Sequence, residues 1–225
     1  MANILIIDTA VEVAGICLTQ DGTLAGLAIN REQKEQAGWL QPAILNLMNQ
    51  ASLQFSDLDA IAVAAGPGSY TGLRVGMASA KGLCYALSKP LIAINTLTIM
   101  ANAASKLATP HQLICPMIDA RRLEVYTAIF DQKLNLVLDP LALILEPNSY
   151  DPWLVDQELL FFGNGSEKFR KICKNHHALF PDIQLDVTNC IDLAQEMFEN
   201  KAFSDLIYAE PYYLKPFYSP NITKL

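Results

Sequence analysis

The sequence has little of what marks a metalloenzyme or a disulfide-bonded secreted protein. It holds three histidines, His111 and the adjacent His176 and His177, and five cysteines, Cys17, Cys84, Cys115, Cys173 and Cys190. No Cys-x-x-Cys pair occurs and nothing matches a zinc spacing. The odd, widely spaced cysteines each sit among apolar neighbours, as reduced core thiols do. The histidines read as incidental, since ligand pairs on a helix usually sit at i and i+4. No metal site is expected. A basic surplus is also missing: the formal charge is −7 and the pI about 4.9. Phosphate neutralisation by Lys and Arg supplies most nucleic-acid affinity, so direct nucleic-acid binding is disfavoured and any RNA would be held by a partner. The amino terminus runs straight into Asn3-Ile4-Leu5-Ile6-Ile7-Asp8, with no basic leader and no small-residue cleavage site. No apolar run approaches the ~18 residues of a membrane span. A cytoplasmic protein without membrane attachment is the expectation.

What is present suffices for a packed core. With 225 residues, 52% of them apolar, the chain should bury roughly 70% of its unfolded surface as one large domain or two small ones. The opening reads as strands over 3–7, 13–19 and 23–30, the last two joined by Asp21-Gly22, a hairpin signal. A helical stripe of Leu40, Ile44, Leu47 and Ala51 follows over about 37–54. Then come a buried strand (60–65), the loop Gly66-Pro67-Gly68-Ser69, a helix to about 88, a strand at 91–94 and a helix from Thr96. The order is βββαβαβα. It begins again at Leu113 to Asp119 and Val125 to Phe130, with Asp131-Gln132-Lys133 in place of Asp21-Gly22 and Phe162-Gly163-Asn164-Gly165-Ser166 echoing Ala65-Gly66-Pro67-Gly68-Ser69. Chance similarity of short apolar strands is the alternative, but the shared order favours duplication. Two mixed sheets of this kind make an α/β chain of actin-like ATPase (ribonuclease-H-like) architecture, in two duplicated lobes over 1–100 and 101–225. The helix around Ile191 to Phe203 and the tail Glu210 to Leu225 are candidates to cross back to the first lobe.

In such a fold each lobe presents an aspartate at the end of its first strand, beside a glycine-containing phosphate hairpin. Asp8 and Asp119 hold these positions. Their turns, Thr9-Ala10-Val11-Glu12 and Ala120-Arg121-Arg122, lack the glycines that let backbone approach a phosphate. Two readings stand: degenerate phosphate-site aspartates, or carboxylates that cap strand ends. Arg121 and Arg122 are candidate partners for Asp119 or Glu124. The most distinctive string is Gly66-Pro67-Gly68-Ser69-Tyr70-Thr71-Gly72-Leu73-Arg74-Val75-Gly76, placed at a helix start where amides are unpaired and an anion is favoured. Gly66, Pro67, Gly68, Ser69, Tyr70, Thr71, Gly72 and Arg74 are therefore candidate nucleotide-proximal residues. The string is neither a P-loop nor a nucleophile elbow, and no histidine neighbours Ser69 or Thr71. No catalytic residue emerges.

From Gln36 to Ser88 the only charged residues are Asp57, Asp59, Arg74 and Lys81. A helix on a sheet normally shows a charged outer face; here the outward positions of the first helix are Gln41, Asn46, Asn49 and Gln50. Both helices read as buried on two sides, either by the second lobe or by another subunit. Charge depletion marks interface cores, which makes Leu40, Ile44, Leu47, Met48, Leu73, Gly76, Met77, Ala80, Leu83, Cys84 and Leu87 candidate interface residues.

With these residues in view the sequence resembles the TsaB (YeaZ) family, bacterial partner proteins in the synthesis of N6-threonylcarbamoyladenosine (t6A) in tRNA. The resemblance rests on Ile7-Asp8-Thr9, Asp57-Leu58-Asp59, residues 66–76, Asn95-Thr96-Leu97, Ile118-Asp119-Ala120-Arg121 with Glu124-Val125-Tyr126, and Glu210-Pro211-Tyr212-Tyr213-Leu214. It implies a non-catalytic subunit that scaffolds and activates the catalytic subunit TsaD together with the ATPase TsaE. It also implies a homodimer when the chain is alone, and no tightly bound cofactor, ATP or ADP being met only in the assembled complex. The family's metal-binding histidines belong to TsaD, and Glu32 to Leu40 holds none. Arg122-Leu123 departs from the family's usual turn after Asp-Ala-Arg. The competing expectation is a stand-alone ATPase or kinase of the same fold. A peptidase, an older label for related proteins, finds no nucleophile with a base here.

Overall fold

The computed structural model describes residues 2–32 and 36–215, and of Gln36 only its helical backbone. The part of the tail expected over 216–225 lies outside the described residues. Strands β1 (Asn3–Asp8), β2 (Ala14–Gln20), β3 (Thr23–Asn30), β4 (Ala60–Gly66) and β5 (Leu91–Asn95) form one sheet in the order β3-β2-β1-β4-β5. Strands β6 (Gln112–Asp119), β7 (Glu124–Phe130), β8 (Leu136–Ile144), β9 (Glu158–Phe162) and β10 (Ala178–Leu179) form the other, in the order β10-β9-β6-β7-β8. In both, the first two strands are antiparallel and the fourth lies parallel to the first. The lobes are topological copies of one actin-like unit.

Central β1 is apolar on both faces, Ile4, Leu5, Ile6 and Ile7 all being fully buried. Its alternate residues feed two cores, because successive strand side chains point to opposite sides. Leu5 and Ile7 pack with α1 (Gln36–Gln50) and α2 (Tyr70–Leu87), whereas Ile4 and Ile6 pack with α5 (Ile191–Glu199) and the 3-10 turn Val187–Cys190 before it. Helix α3 (Thr96–Ser105) places Leu97, Met100, Ala101 and Ala104 on Ile114, Ile118 and Phe130 of the second sheet. Each half of the chain thus lends a helix to the other half's sheet. The boundary expected at 101 falls inside α3, and α5 lies on the first sheet.

Differences from the expected pattern have local causes. Helix α1 stops at Gln50, since Ser52 is left-handed (φ 55) and the Asp57 carboxylate takes the Gln54 amide to open a 3-10 turn, Phe55–Asp57. No α-helix stands between β8 and β9 as α1 does between β3 and β4. The turn Asp151–Trp153 brings Tyr150 and Leu154 inward instead. Tyr150, Phe161, Phe169 and the half-buried Phe180 pack as aromatics at 4.8–5.5 Å, within the favoured range of ring separations. Aromatic volume here replaces a helix. The cysteines are free, and Cys17, Cys84, Cys115 and Cys190 are buried. Burial pushes the Cys17 and Cys115 thiols up to about 12.

Candidate functional site

The site grows from the turn after β1. Asp8 is 5% exposed and accepts the Ala10 amide at 2.9 Å. Burial pushes its carboxyl up to about 6, with the nearby Asp186 charge adding to the effect. The next residues are covered by the distinctive string. Thr9 Oγ1 donates to the Gly72 carbonyl at 2.7 Å and the Ser69 amide donates to the Ala10 carbonyl at 2.7 Å. Gly68 lies so close to that carbonyl that a Cβ would collide with it. A hairpin that grips phosphate needs open amides; this one is closed by the chain's own loop. Pro67 and Gly72 are buried, while Ser69 caps α2 by accepting the Gly72 amide at 3.3 Å.

The same loop is strapped from its other side. Gly66 has φ +114, and a Cβ there would stand 2.6 Å from the Tyr212 carbonyl, so only glycine fits. The Tyr212 amide donates to the Ala65 carbonyl at 2.7 Å. Arg74 donates to the Tyr213 hydroxyl at 3.1 Å and lies 4.1 Å over the Tyr70 ring. Thr71 is exposed beside this stack. Lys81, the lysine of α2, donates to the carbonyls of Ile207 (3.3 Å) and Ala209 (2.7 Å). The other family-bearing strings also have structural duties: Asp59 takes the Asn3 amide at 2.8 Å, and Asn95 caps α3.

In the second lobe Asp119 is exposed, and it accepts the Arg121 amide at 2.6 Å and the Lys168 ammonium at 2.7 Å. Lys168 comes from α4 (Ser166–Arg170) and also donates to the Glu124 carbonyl at 3.0 Å. The Glu124 carboxylate pairs with Lys215 at 2.5 Å. The expected ion pairing through Arg121 and Arg122 is therefore corrected. Both residues are left-handed in the turn (φ 70 and 49), and lysines from α4 and the tail reach the two carboxylates.

The expected interface residues need a larger correction. Leu40, Ile44, Leu47, Met48, Met77, Ala80 and Cys84 belong to this chain's own core under the first sheet. Leu73 packs on that sheet's other side, and Gly76 is buried against Thr9. Leu83 and Leu87 are half-buried against the first core. A helical stripe facing its own sheet and one facing a partner share the same period, so the pattern did not separate them. Outside, α1 exposes Gln41, Leu45, Asn46, Asn49 and Gln50 and the later turns of α2 expose Ala78, Gly82, Tyr85 and Ala86, none of them charged, whereas Arg74 is the exposed cation at the start of α2. Leu45 is 50% and Tyr85 82% exposed, and nearby Ile207 and Tyr208 on the strap are about as open as Tyr85. Sequence reasoning did not single these four out as exposed; for Tyr85 the available signal was a large aromatic in a helix whose only charges are Arg74 and Lys81.

A cleft of about 490 Å³ separates the lobes, between the β1–β2 turn and the β9–α4 turn. Its residues Gly163, Asn164 and Ser166 are the second copy of the glycine string noticed as a repeat. Among the described residues no group of three or more His, Cys, Asp or Glu is placed to hold a metal ion, and no helix is long and apolar enough to cross a membrane.

Comparison with known proteins adds to this geometry. The family model described as TsaD: tRNA N6-adenosine threonylcarbamoyltransferase matches residues 30–224. The tRNA threonylcarbamoyladenosine biosynthesis protein TsaB of Bacillus subtilis is 38% identical over 60% of this chain and 58% of its own length. The TsaB protein of Escherichia coli is 26% identical over 95% of this chain and 94% of its own. The solved structure of YeaZ from Pseudomonas aeruginosa superposes with a TM-score of 0.77 at 26% identity, covering 95% of this chain and all of that one.

Proposed function

The chain belongs to the family described as TsaD: tRNA N6-adenosine threonylcarbamoyltransferase and, within that likeness, to the TsaB (YeaZ) proteins, and from this premise we propose that it is a non-catalytic subunit for t6A modification of tRNA. It docks on the catalytic subunit TsaD in the cytoplasm and works with the ATPase TsaE, while tRNA is held by the partner. Alone, it pairs with a second copy through the same face. The observation that carries this reading is the uncharged outer face of α1 and of the later turns of α2, bearing the exposed Leu45 and Tyr85. Charge-free surface with a large aromatic is the composition of an interface core. The closed β1–β2 turn and the Lys168-filled β6–β7 turn support the absence of catalysis.

The test is co-elution with the cognate TsaD. Tyr85→Glu buries an unpaired charge at the contact, worth several kcal/mol and hence about 100-fold or more in affinity. Co-elution should disappear while the thermal midpoint of the isolated chain stays put. Met77→Glu is not a usable probe, because Met77 is core. Wild-type co-elution by both Tyr85→Glu and Leu45→Asp would end the docking proposal. The open interlobe cleft favours a second reading, a stand-alone actin-like ATPase or kinase. Calorimetry of the isolated chain with Mg·ATP separates the two: no micromolar binding is expected, and binding with turnover would replace the first reading by the second.

A further inference from the structure

The interlobe cleft lies where a fold of this kind would hold polyphosphate, yet its charges have the wrong sign for one. Glu12 from the first lobe and Asp182 from the segment leading to α5 stand on its rim. The guanidinium there, Arg170, is already paired with Glu167 at 3.2 Å. Three carboxylates therefore face one cation, on a chain of net charge −7. The walls between them are apolar, with Val13, Met100, Phe180 and Leu185 among them.

Two further observations show that carboxylates and a ring at this end of the molecule pair with cationic groups of the chain itself. Asp119 and Glu124, beside the cleft's α4 wall, each hold an ammonium of the same chain, Lys168 at 2.7 Å and Lys215 at 2.5 Å. The face of Phe180 already has the Arg170 guanidinium 6.0 Å from its centroid, the reach of a cation–π contact. A volume of about 490 Å³ is within the range of small-molecule sites.

We propose that the interlobe cleft is a binding site for a small organic cation with an aromatic or branched apolar body. The body lies between Met100, Phe180 and Leu185, and the cationic group faces Glu12 and Asp182. The site is independent of subunit docking, which uses the opposite, α1/α2 side of the first sheet.

Tryptamine serves as the probe, with indole-3-ethanol as its neutral isostere and indole-3-propionate as its anion, each titrated into the full-length ¹⁵N-labelled chain. Tryptamine should shift the amides of residues 11–13 and 163–167, bind more weakly as salt rises, and exceed the alcohol in affinity by roughly three- to tenfold, as one or two screened ion pairs allow. The anion should leave these amides in place. Glu12→Gln with Asp182→Asn, both exposed and conservative, should bring tryptamine down to the alcohol's affinity with the amide spectrum otherwise unchanged. Equal binding of the anion, shifts mapping elsewhere, no shift at all, or a double variant that binds like the wild type would each overturn the proposal.

Discussion

Asp8 closes β1 with its carboxylate inside the chain, held by the Ala10 amide. Desolvation outweighs that hydrogen bond, so the folded chain binds the proton more tightly than the unfolded one, at about 6 against the ordinary 3.8. A carboxyl raised in this way contributes stability that is complete below about 3.8 and is lost as pH climbs through about 6. The loss amounts to roughly 3 kcal/mol at most. Asp8→Asn keeps an acceptor for the Ala10 amide without the charge. In urea titrations at pH 4.5 and 7.5 the wild type should lose about 2 kcal/mol more than the variant between the two. Equal losses would mean that Asp8 is not the titrating group. The residue type and its place after a buried strand were legible in the sequence; its burial was not, because the loop that closes over this turn, through Gly68 and Ser69 on Ala10 and Gly72 on Thr9, lies far along the chain.

Helix α2 serves three masters at this scale. Its start closes the β1–β2 turn, its inner stripe packs on the first sheet, and Lys81 binds the strap formed by residues 204–215. The strap also adds Ser204 to β5 through the Ser204 amide and the Leu91 carbonyl at 2.8 Å, and Tyr212 to β4. Lys81→Met keeps most of the aliphatic stem and removes the two charged hydrogen bonds, which should cost about 1–3 kcal/mol. Hydrogen exchange at the Ala209 and Tyr212 amides, and cleavage near Ile207 and Tyr208, should accelerate in the variant. Protection equal to wild type would show that the strap is held by other contacts. The charge scarcity of α1 and α2 was visible in the sequence, and the outward set Gln41, Asn46, Asn49 and Gln50 was identified correctly. Most of the apolar set, from Leu40 to Cys84, is instead buried in this chain's own cores, with Leu83 and Leu87 half-buried, since a stripe of Leu, Ile and Met fits a sheet and a partner equally well. The spending of Lys81 on the tail lay beyond any local pattern.

At the scale of the whole molecule the two lobes are not separable pieces. The inner face of the first sheet, Ile4, Ile6 and Ala62, is covered by Ala194 and its neighbours on α5, from the far end of the chain, and α3 covers the second sheet in return. A fragment of residues 1–105 loses that cover, and burial of several large side chains, each worth about 1.5–3 kcal/mol, goes with it. It should fail to unfold cooperatively by circular dichroism, whereas fusing residues 187–215 to it should restore a transition. A cooperative melt of 1–105 alone would contradict the exchange of helices.

The sequence by itself determined the strand and helix order, the doubling of the unit and the family, because hydrophobic period, turn chemistry and the string at 66–76 are local properties written in consecutive residues. Only the tertiary structure decided which apolar residues are core and which side of α2 is free. It alone showed that Lys168 and Lys215 satisfy Asp119 and Glu124, and that the interlobe cleft is lined by carboxylates. Those outcomes depend on residues far apart in the chain brought within a few ångströms, and neither burial nor electrostatic pairing across such distances leaves a trace in any short window of sequence.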